Sequence, residues 1–150
     1  MFLLGGCASN KTKNIPYLDS KEIVKGFSPK LNVFSPKKGN GFPVVIFVHG
    51  GNWNAGSKDT YNLMGRNFGR KDVVTVTPSY TLSPKGNFDT MAQEIAEAVK
   101  WTKNNIKDFG GDPEKIYLMG HSAGGHLVAI ISTNPKYLDD QVNNQRNHPK

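Results

Sequence analysis

Three unbroken apolar runs dominate the pattern of hydrophobic positions along the chain. They span residues 44–48, 73–77 and 116–119 and are rich in β-branched residues. Short continuous runs of this kind are typical of strands buried on both faces of a parallel sheet. A fourth strand is predicted at Leu31–Phe34, where polar and apolar residues alternate up to the turn at Ser35-Pro36.

Helical patterns lie between these runs. The clearest has Met91, Ile95 and Val99 at i, i+4 spacing, after a cap at Asp89 or Thr90 and before Gly110-Gly111. Further helices are predicted over residues 59–68 and from position 122 to about position 133, and the polar residues from 134 onward predict a loop. Strands that alternate with helices indicate an α/β fold with a mostly parallel sheet and flanking helices.

Composition restricts the possibilities further. The chain has 150 residues, of which 37% are hydrophobic, enough for one compact domain and too few for two. A single cysteine excludes an internal disulfide framework, and no cluster of cysteine and histidine has zinc spacing. No apolar run approaches the roughly 18 residues of a membrane span.

The net charge of +7 is concentrated in residues 1–40, where seven lysines face only Asp19 and Glu22. No basic stripe with interleaved aromatic residues crosses the body of the chain, so no nucleic-acid partner is expected. The basic segment is either a solvated arm or a region attracted to an anionic membrane surface.

The first residues, MFLLGGCASN, resemble the end of a bacterial lipoprotein signal. The resemblance implies that Cys7 is lipidated and attaches the protein to a membrane of the cell envelope, with residues 11–16 as a tether. The positive segment and the long apolar core of a signal are missing here. The alternatives are a true start upstream of Met1, or an ordinary free thiol at Cys7 in a cytoplasmic protein. Residues 1–16 are therefore predicted to be a signal remnant and tether, and residues 17–150 the folded domain.

The sequence Gly120-His121-Ser122-Ala123-Gly124 matches the G-x-S-x-G pattern of a nucleophile elbow. The pattern needs a buried strand before it and a helix after it, and both are predicted. The serine would sit on a tight turn, and the flanking glycines would let neighbouring elements approach closely.

A second motif, His49-Gly50-Gly51-Asn52-Trp53, follows the apolar run at residues 44–48 directly. Acyl transfer places negative charge on a carbonyl oxygen, and backbone N–H groups aimed at that oxygen lower the barrier. Glycines let the backbone come close enough. The motif predicts an oxyanion loop.

Together these motifs resemble the N-terminal portion of an α/β-hydrolase fold esterase or lipase, in the branch with an HGG-x-W loop. That branch includes hormone-sensitive-lipase-like carboxylesterases, bacterial acetyl and feruloyl esterases, and arylformamidases. The segments YTLSP at 80–84 and FGGDP at 109–113 also match it, although Asn52 replaces a commoner glycine and Thr81 a commoner arginine.

The resemblance implies a role for each matching residue. Ser122 would be the nucleophile, and the N–H groups of Gly51, Asn52 and Ala123 would form the oxyanion hole. His49 and Gly50 would support the loop, His49 by hydrogen bonding rather than as a base. Trp53 would be a core anchor or, less favoured, a wall of the acyl pocket. His121 is expected to pack under the turn and His126 to be structural.

The acid and the histidine that activate such a serine normally follow it on loops after later strands. After the nucleophile helix the chain offers only Asp139, Asp140 and His148, in the right order but too close together. The C-terminal half of the fold is therefore expected to be missing, since such domains commonly exceed about 200 residues. We expect the chain to be inactive or impaired by itself.

The expected function is hydrolysis of carboxylic esters, with small acyl or carbohydrate-linked esters as substrates and without metal or cofactor. The alternatives are an arylformamidase with the same machinery and a non-catalytic binding module of the same fold.

Overall fold

The computed structural model describes residues 9–19 and 26–138. Their strands are β1 (Ser9–Pro16), β2 (Lys30–Pro36), β3 (Phe42–Val48), β4 (Val74–Pro78) and β5 (Gly111–Gly120). Their α-helices are α1 (Asn62–Gly69), α2 (Phe88–Asn105) and α3 (Ala123–Thr133), and 3₁₀ turns cover Lys58–Tyr61 and Ile106–Phe109.

The five strands form one sheet in the order β1-β2-β4-β3-β5. The strand β3 runs parallel to both β4 and β5, whereas β2 is antiparallel to β1 and to β4. The predicted α/β fold is confirmed, and its sheet is mixed because the hairpin β1–β2 joins it antiparallel.

Helices cover the two faces of the sheet. Alternate residues of a strand point to opposite faces, and β2 shows this directly. A Cβ atom on Gly65 of α1 would lie 2.4 Å from the Phe34 ring, whereas Val33 shares a buried cluster with Ala98 of α2. A second buried cluster joins the C-terminal end of β3 and the segment after β4 to α2 and α3. Its members include Val48, Tyr80, Met91, Ile95, Leu127 and Ile131.

The predicted tether over residues 11–16 is wrong. Ser9–Pro16 is strand β1, paired from Ser9↔Pro36 to Pro16↔Lys30 with an irregularity between Thr12 and Ile15. Most of its side chains are polar and at least partly exposed, so the sequence lacks the apolar pattern that would have indicated a strand. The folded part therefore begins before residue 17. Cys7 lies outside the described residues.

The predicted helices are confirmed, with shifted ends. The side chain of Asn87, rather than Asp89 or Thr90, caps α2 by accepting a hydrogen bond from the Thr90 N–H at 2.9 Å. Residues 135–138 are helical, although the sequence predicts a loop there. No helix within the described ranges is long and apolar enough to cross a membrane.

Candidate active site

The two predicted motifs leave the sheet side by side. Val48 ends β3 and pairs with Gly120, which ends the neighbouring parallel strand β5. The His121 N–H donates to the Val48 carbonyl oxygen at 3.1 Å. Because parallel strands end at the same edge of a sheet, the loop after β3 and the turn after β5 start from adjoining points.

Ser122 occupies a strained, exposed turn. Its φ is +53° and its ψ is −120°, a conformation that non-glycine residues rarely adopt. Gly120 and Gly124 make this turn possible. A Cβ atom on Gly124 would lie 2.1 Å from the Val48 carbonyl oxygen, and one on Gly120 would lie 2.5 Å from the backbone of Gly124.

The loop after β3 is wound into a tight left-handed turn. Gly51, Asn52 and Trp53 have φ values of +132°, +52° and +60°. The Gly51 carbonyl oxygen accepts from the N–H groups of Asn54 at 3.2 Å and Ala55 at 2.9 Å. This loop is the one that the sequence predicts as the oxyanion loop.

Gly50 brings the loop against the serine turn. A Cβ atom at Gly50 would lie 3.1 Å from the Ser122 Cβ and 2.6 Å from the His121 carbonyl oxygen. A side chain at this position would therefore push the loop away from Ser122, which explains the glycine in physical terms.

The backbone N–H groups of Gly51, Asn52 and Ala123 make no hydrogen bond to another group within residues 9–19 and 26–138. Ala123 is the first residue of α3, where N–H groups have no partner inside the helix and carry the positive end of the helix dipole. These three N–H groups are therefore donors without a partner in the described part of the chain.

His49 is buried, and its Nδ1 lies 2.8 Å from the Gly50 carbonyl oxygen. A carbonyl oxygen only accepts hydrogen bonds, so Nδ1 carries the hydrogen. Burial lowers the pKa of His49 below its usual value of 6.5, although the bond to Gly50 acts in the other direction. The structure thus places His49 where its Nδ1–H supports the loop through the Gly50 carbonyl oxygen.

Trp53 is partly buried and packs against the cluster of Tyr80, Leu127 and their neighbours. This position agrees with a core anchor. Its indole N–H is buried and has no partner among the described residues.

The prediction for His121 is wrong. Its side chain is exposed and does not pack under the turn, and its Nδ1 lies 3.2 Å from the Tyr61 hydroxyl. His126 is also exposed, with its ring edge-on to Trp53 at a centroid distance of 5.4 Å. The side chain of Ser122 forms no hydrogen bond to either histidine. Asp139, Asp140 and His148 lie outside the described residues.

Two tyrosines near the site were not predicted to act in it. The Tyr61 ring lies against the Phe47 ring in a tilted arrangement, with centroids 4.5 Å apart, and its hydroxyl is hydrogen-bonded to His121; no sequence pattern marks it. Tyr80 contacts His49, and its place in the YTLSP segment was the available signal.

Within the described ranges, no group of acidic, histidine or cysteine side chains could hold a metal ion.

Comparison with known proteins shows the family and the fold of this chain. The family model described as BD-FAE matches residues 31–150. The chain belongs to the BD-FAE family. The matched range includes both motifs, strands β3 to β5 and all of β2 except Lys30, so the site lies within the BD-FAE domain.

This BD-FAE chain has esterases among its relatives. It is 38% identical over 112 residues to isoprenylcysteine alpha-carbonyl methylesterase from Arabidopsis thaliana, covering 73% of this chain and 26% of the relative. It is 35% identical over 119 residues to kynurenine formamidase from Salmo salar, covering 79% of this chain and 37% of the relative.

Among solved structures, EstE1, a thermophilic carboxylesterase cloned from a metagenomic library, superimposes with a TM-score of 0.71 and 30% identity. The match covers 89% of this chain and 43% of that one. The fold of this BD-FAE chain is therefore the α/β-hydrolase fold that the sequence predicts. The chain spans about a quarter of the length of the first curated relatives, 26% and 24%.

Proposed function

We propose that the protein hydrolyses carboxylic esters through an acyl-enzyme on Ser122. The observation that carries the proposal is the juxtaposition of an exposed serine on a strained turn with a glycine loop whose backbone N–H groups are free. This arrangement combines a nucleophile with donors for the oxygen that becomes negative.

The reaction follows from these groups. The Ser122 Oγ attacks the ester carbonyl carbon, and the N–H groups of Gly51, Asn52 and Ala123 bind the carbonyl oxygen as it gains charge. Collapse of this intermediate releases the alcohol, which takes up a proton, and leaves the acyl group on Ser122. Attack of water then releases the carboxylic acid and restores the serine hydroxyl. A general base must accept the serine proton, and none of the described histidines is hydrogen-bonded to it.

The proposed substrates are esters of small acyl groups, including those linked to carbohydrate. The resemblance to acetyl and feruloyl esterases supports this choice. A second candidate is hydrolysis of an N-formyl amide, favoured by the 35% identity to a kynurenine formamidase. The same nucleophile and oxyanion donors would serve both reactions.

The decisive experiment uses the protein as its organism produces it. A fluorophosphonate probe is expected to label Ser122, as located by peptide mass spectrometry, and p-nitrophenyl acetate is expected to be hydrolysed. Ser122→Ala should abolish both. Ser132→Ala, at an exposed serine near the other end of α3, should change neither.

A wild-type protein that neither reacts with the probe nor hydrolyses the ester would contradict the proposal and favour a non-catalytic module. Acetylated xylan and N-formylkynurenine, assayed side by side, distinguish the two enzymatic candidates. The one with the larger kcat/KM identifies the substrate class.

A further inference from the structure

Tyr80 lies directly behind the oxyanion loop. It follows β4 and is 1% exposed. Its ring stacks on the His49 ring, with centroids 4.5 Å apart and planes 14° apart. Its hydroxyl donates to the His49 carbonyl oxygen at 2.9 Å. Tyr80 therefore holds both the ring and the backbone of His49.

His49 in turn holds one particular peptide unit. Its Nδ1–H donates to the carbonyl oxygen of Gly50. That carbonyl belongs to the same planar peptide as the N–H of Gly51. In a trans peptide the C=O and N–H bonds point in opposite directions, so a carbonyl held toward His49 directs the Gly51 N–H away from it.

Gly56 packs directly against the hydrogen bond between His49 and the Gly50 carbonyl oxygen. A Cβ atom there would lie 2.1 Å from the Gly50 carbonyl oxygen and 2.8 Å from His49 Nδ1. Gly50 itself borders Ser122 through the contact already described. The peptide is thus held by His49 and Gly56 and lies next to the serine turn.

This support matters because the loop is strained. Non-glycine residues in the left-handed region, such as Asn52 and Trp53, cost free energy and persist only where the surroundings impose them. Glycine at positions 50 and 51 makes the joining peptide easy to rotate. The hydrogen bonds of Asn54 and Ala55 hold the Gly51 carbonyl oxygen, and the peptide that carries the Gly51 N–H needs its own support.

We propose that Tyr80 is a positioning residue for the oxyanion hole. Through His49 it fixes the orientation of the Gly50–Gly51 peptide, so that the Gly51 N–H is directed at the carbonyl oxygen of an ester on Ser122. This inference deepens the proposed function and rests on it.

The test compares two conservative variants of buried tyrosines. Tyr80→Phe keeps the stacked ring and removes only the hydrogen bond to His49. Tyr137→Phe is the matched control, because Tyr137 is buried in the same cluster and its hydroxyl donates to Asp89 at 2.6 Å. Both variants are made in the protein as its organism produces it, and the ester is p-nitrophenyl acetate.

Tyr80→Phe is expected to lower kcat about tenfold, a fraction of the roughly 10²–10³-fold loss when an oxyanion donor is removed outright. KM should be unchanged, because the Gly51 N–H binds best to the charged oxygen. The inhibition constant of a boronic acid, whose tetrahedral adduct places an oxygen in the same hole, should rise by the same factor. Tyr137→Phe should leave all three values unchanged.

A second variant covers the case in which Tyr80→Phe does not fold. His49→Phe keeps a ring for stacking and removes the bond to Gly50, and should lower kcat by more than Tyr80→Phe. An unchanged kcat in either folded variant would overturn the inference. A loss of kcat that is fully explained by a smaller folded fraction, as measured by thermal melting, would also overturn it. If the wild type itself hydrolyses no ester, the proposed function has failed. If the wild type is active and Tyr80→Phe is equally active, only the inference about Tyr80 has failed.

Discussion

At the scale of the residue, the absence of a single Cβ atom determines how closely α3 approaches the sheet at Ser122. Gly124 shows this clearly, because its neighbour is not a flexible side chain but the backbone oxygen of Val48 at the end of β3. The helix α3 can begin directly under Ser122 only because no Cβ occupies that space. A methyl group there would separate α3 from the sheet and tilt the nucleophile.

Two adjacent glycines provide a matched test. Gly124→Ala is expected to lower the free energy of unfolding by at least about 2 kcal/mol, because its Cβ would overlap the Val48 oxygen. Gly125→Ala should cost much less, since its Cβ would lie 3.3 Å from the Gly120 oxygen and alanine favours the helix. Urea denaturation measures both, and equal losses would contradict this account of the turn.

At the scale of the element, a polar cluster fixes the segment between the oxyanion loop and α1. Lys58 is 7% exposed, and its ammonium donates to Asn14 at 2.9 Å and to Asp59 at 3.1 Å. The buried Asn32 of β2 donates to the other Asp59 oxygen at 2.9 Å. Strands β1 and β2 thus anchor the 3₁₀ turn that carries Tyr61.

The charge of Asp59 makes this anchor depend on pH. Partial burial raises its pKa, but the hydrogen bonds from Asn32 and Lys58 and the charge of Lys58 outweigh burial and lower the pKa from 3.8 to about 2. Its contribution to stability is therefore present above pH 3.8 and is lost as the pH falls toward about 2.

Asp59→Asn is expected to cost about 1 kcal/mol at neutral pH, a value kept small because roughly half of the Asp59 side chain is exposed to solvent. The difference from wild type should shrink between pH 4 and pH 2. Asp108→Asn, at an exposed position, serves as the control. A difference that stays constant with pH, measured by denaturation, would show that the carboxylate charge is not responsible.

A buried carboxylate links α2 to the segment after β4. Glu94 accepts from the Thr81 N–H at 2.5 Å and from the Thr81 hydroxyl at 2.6 Å. Burial raises the pKa of Glu94 above 4.5, and the two hydrogen bonds only partly oppose this effect. Because the folded form holds the proton more tightly, this contribution is complete below pH 4.5 and is lost as the pH rises through the folded pKa.

Glu94→Gln is expected to be less stable relative to wild type at pH 4 than at pH 8. Its amide can accept from the Thr81 N–H and donate to the hydroxyl, so the contacts remain while the cost of burying a charge disappears. Thermal melting across this range measures the trend. The exposed Glu114→Gln is the reference, and a parallel trend in both variants would refute the explanation.

For the whole molecule, much of the fold could be predicted from the sequence, and the exceptions have physical causes. Strands β3, β4 and β5 were visible because burial on both faces leaves continuous apolar runs. Strand β1 was not, because its side chains are mostly polar and its pairing with β2 uses backbone groups that every sequence possesses. Predicting it would have required knowledge of its partner.

In the candidate site too, some residues could be predicted from the sequence and others could not. Ser122 and the loop from His49 were found because sharp turns and close backbone approach demand particular residue types at fixed spacing. The contact of Tyr80 with His49 joins residues 31 positions apart, and that of Tyr61 with His121 joins residues 60 apart. Such contacts arise from packing between distant residues, so the sequence around either residue does not reveal its partner.

The outer side of β5 is exposed in the described part of the molecule. Tyr117 is 60% exposed and Met119 44% exposed, on one face of this strand, and exposed edge strands favour association. The 150-residue chain is expected to self-associate as its concentration rises. Tyr117→Lys should reduce light scattering at an unchanged melting temperature.

Leu63→Lys is the control for this prediction. Leu63 is 69% exposed on α1, away from a strand edge. Equal reductions in both variants would attribute association to general hydrophobicity rather than to the strand edge.

The direction of β5 determines what a segment paired with its free edge would bring to the site. Ser122 follows the C-terminal end of this strand, and a segment that pairs with β5 in parallel would run toward the same end. The loop after such a segment would leave the sheet on the same side as the Ser122 turn. In the described part of the molecule β5 has no partner on this side, so a parallel segment paired here would give a proton acceptor a path to Ser122.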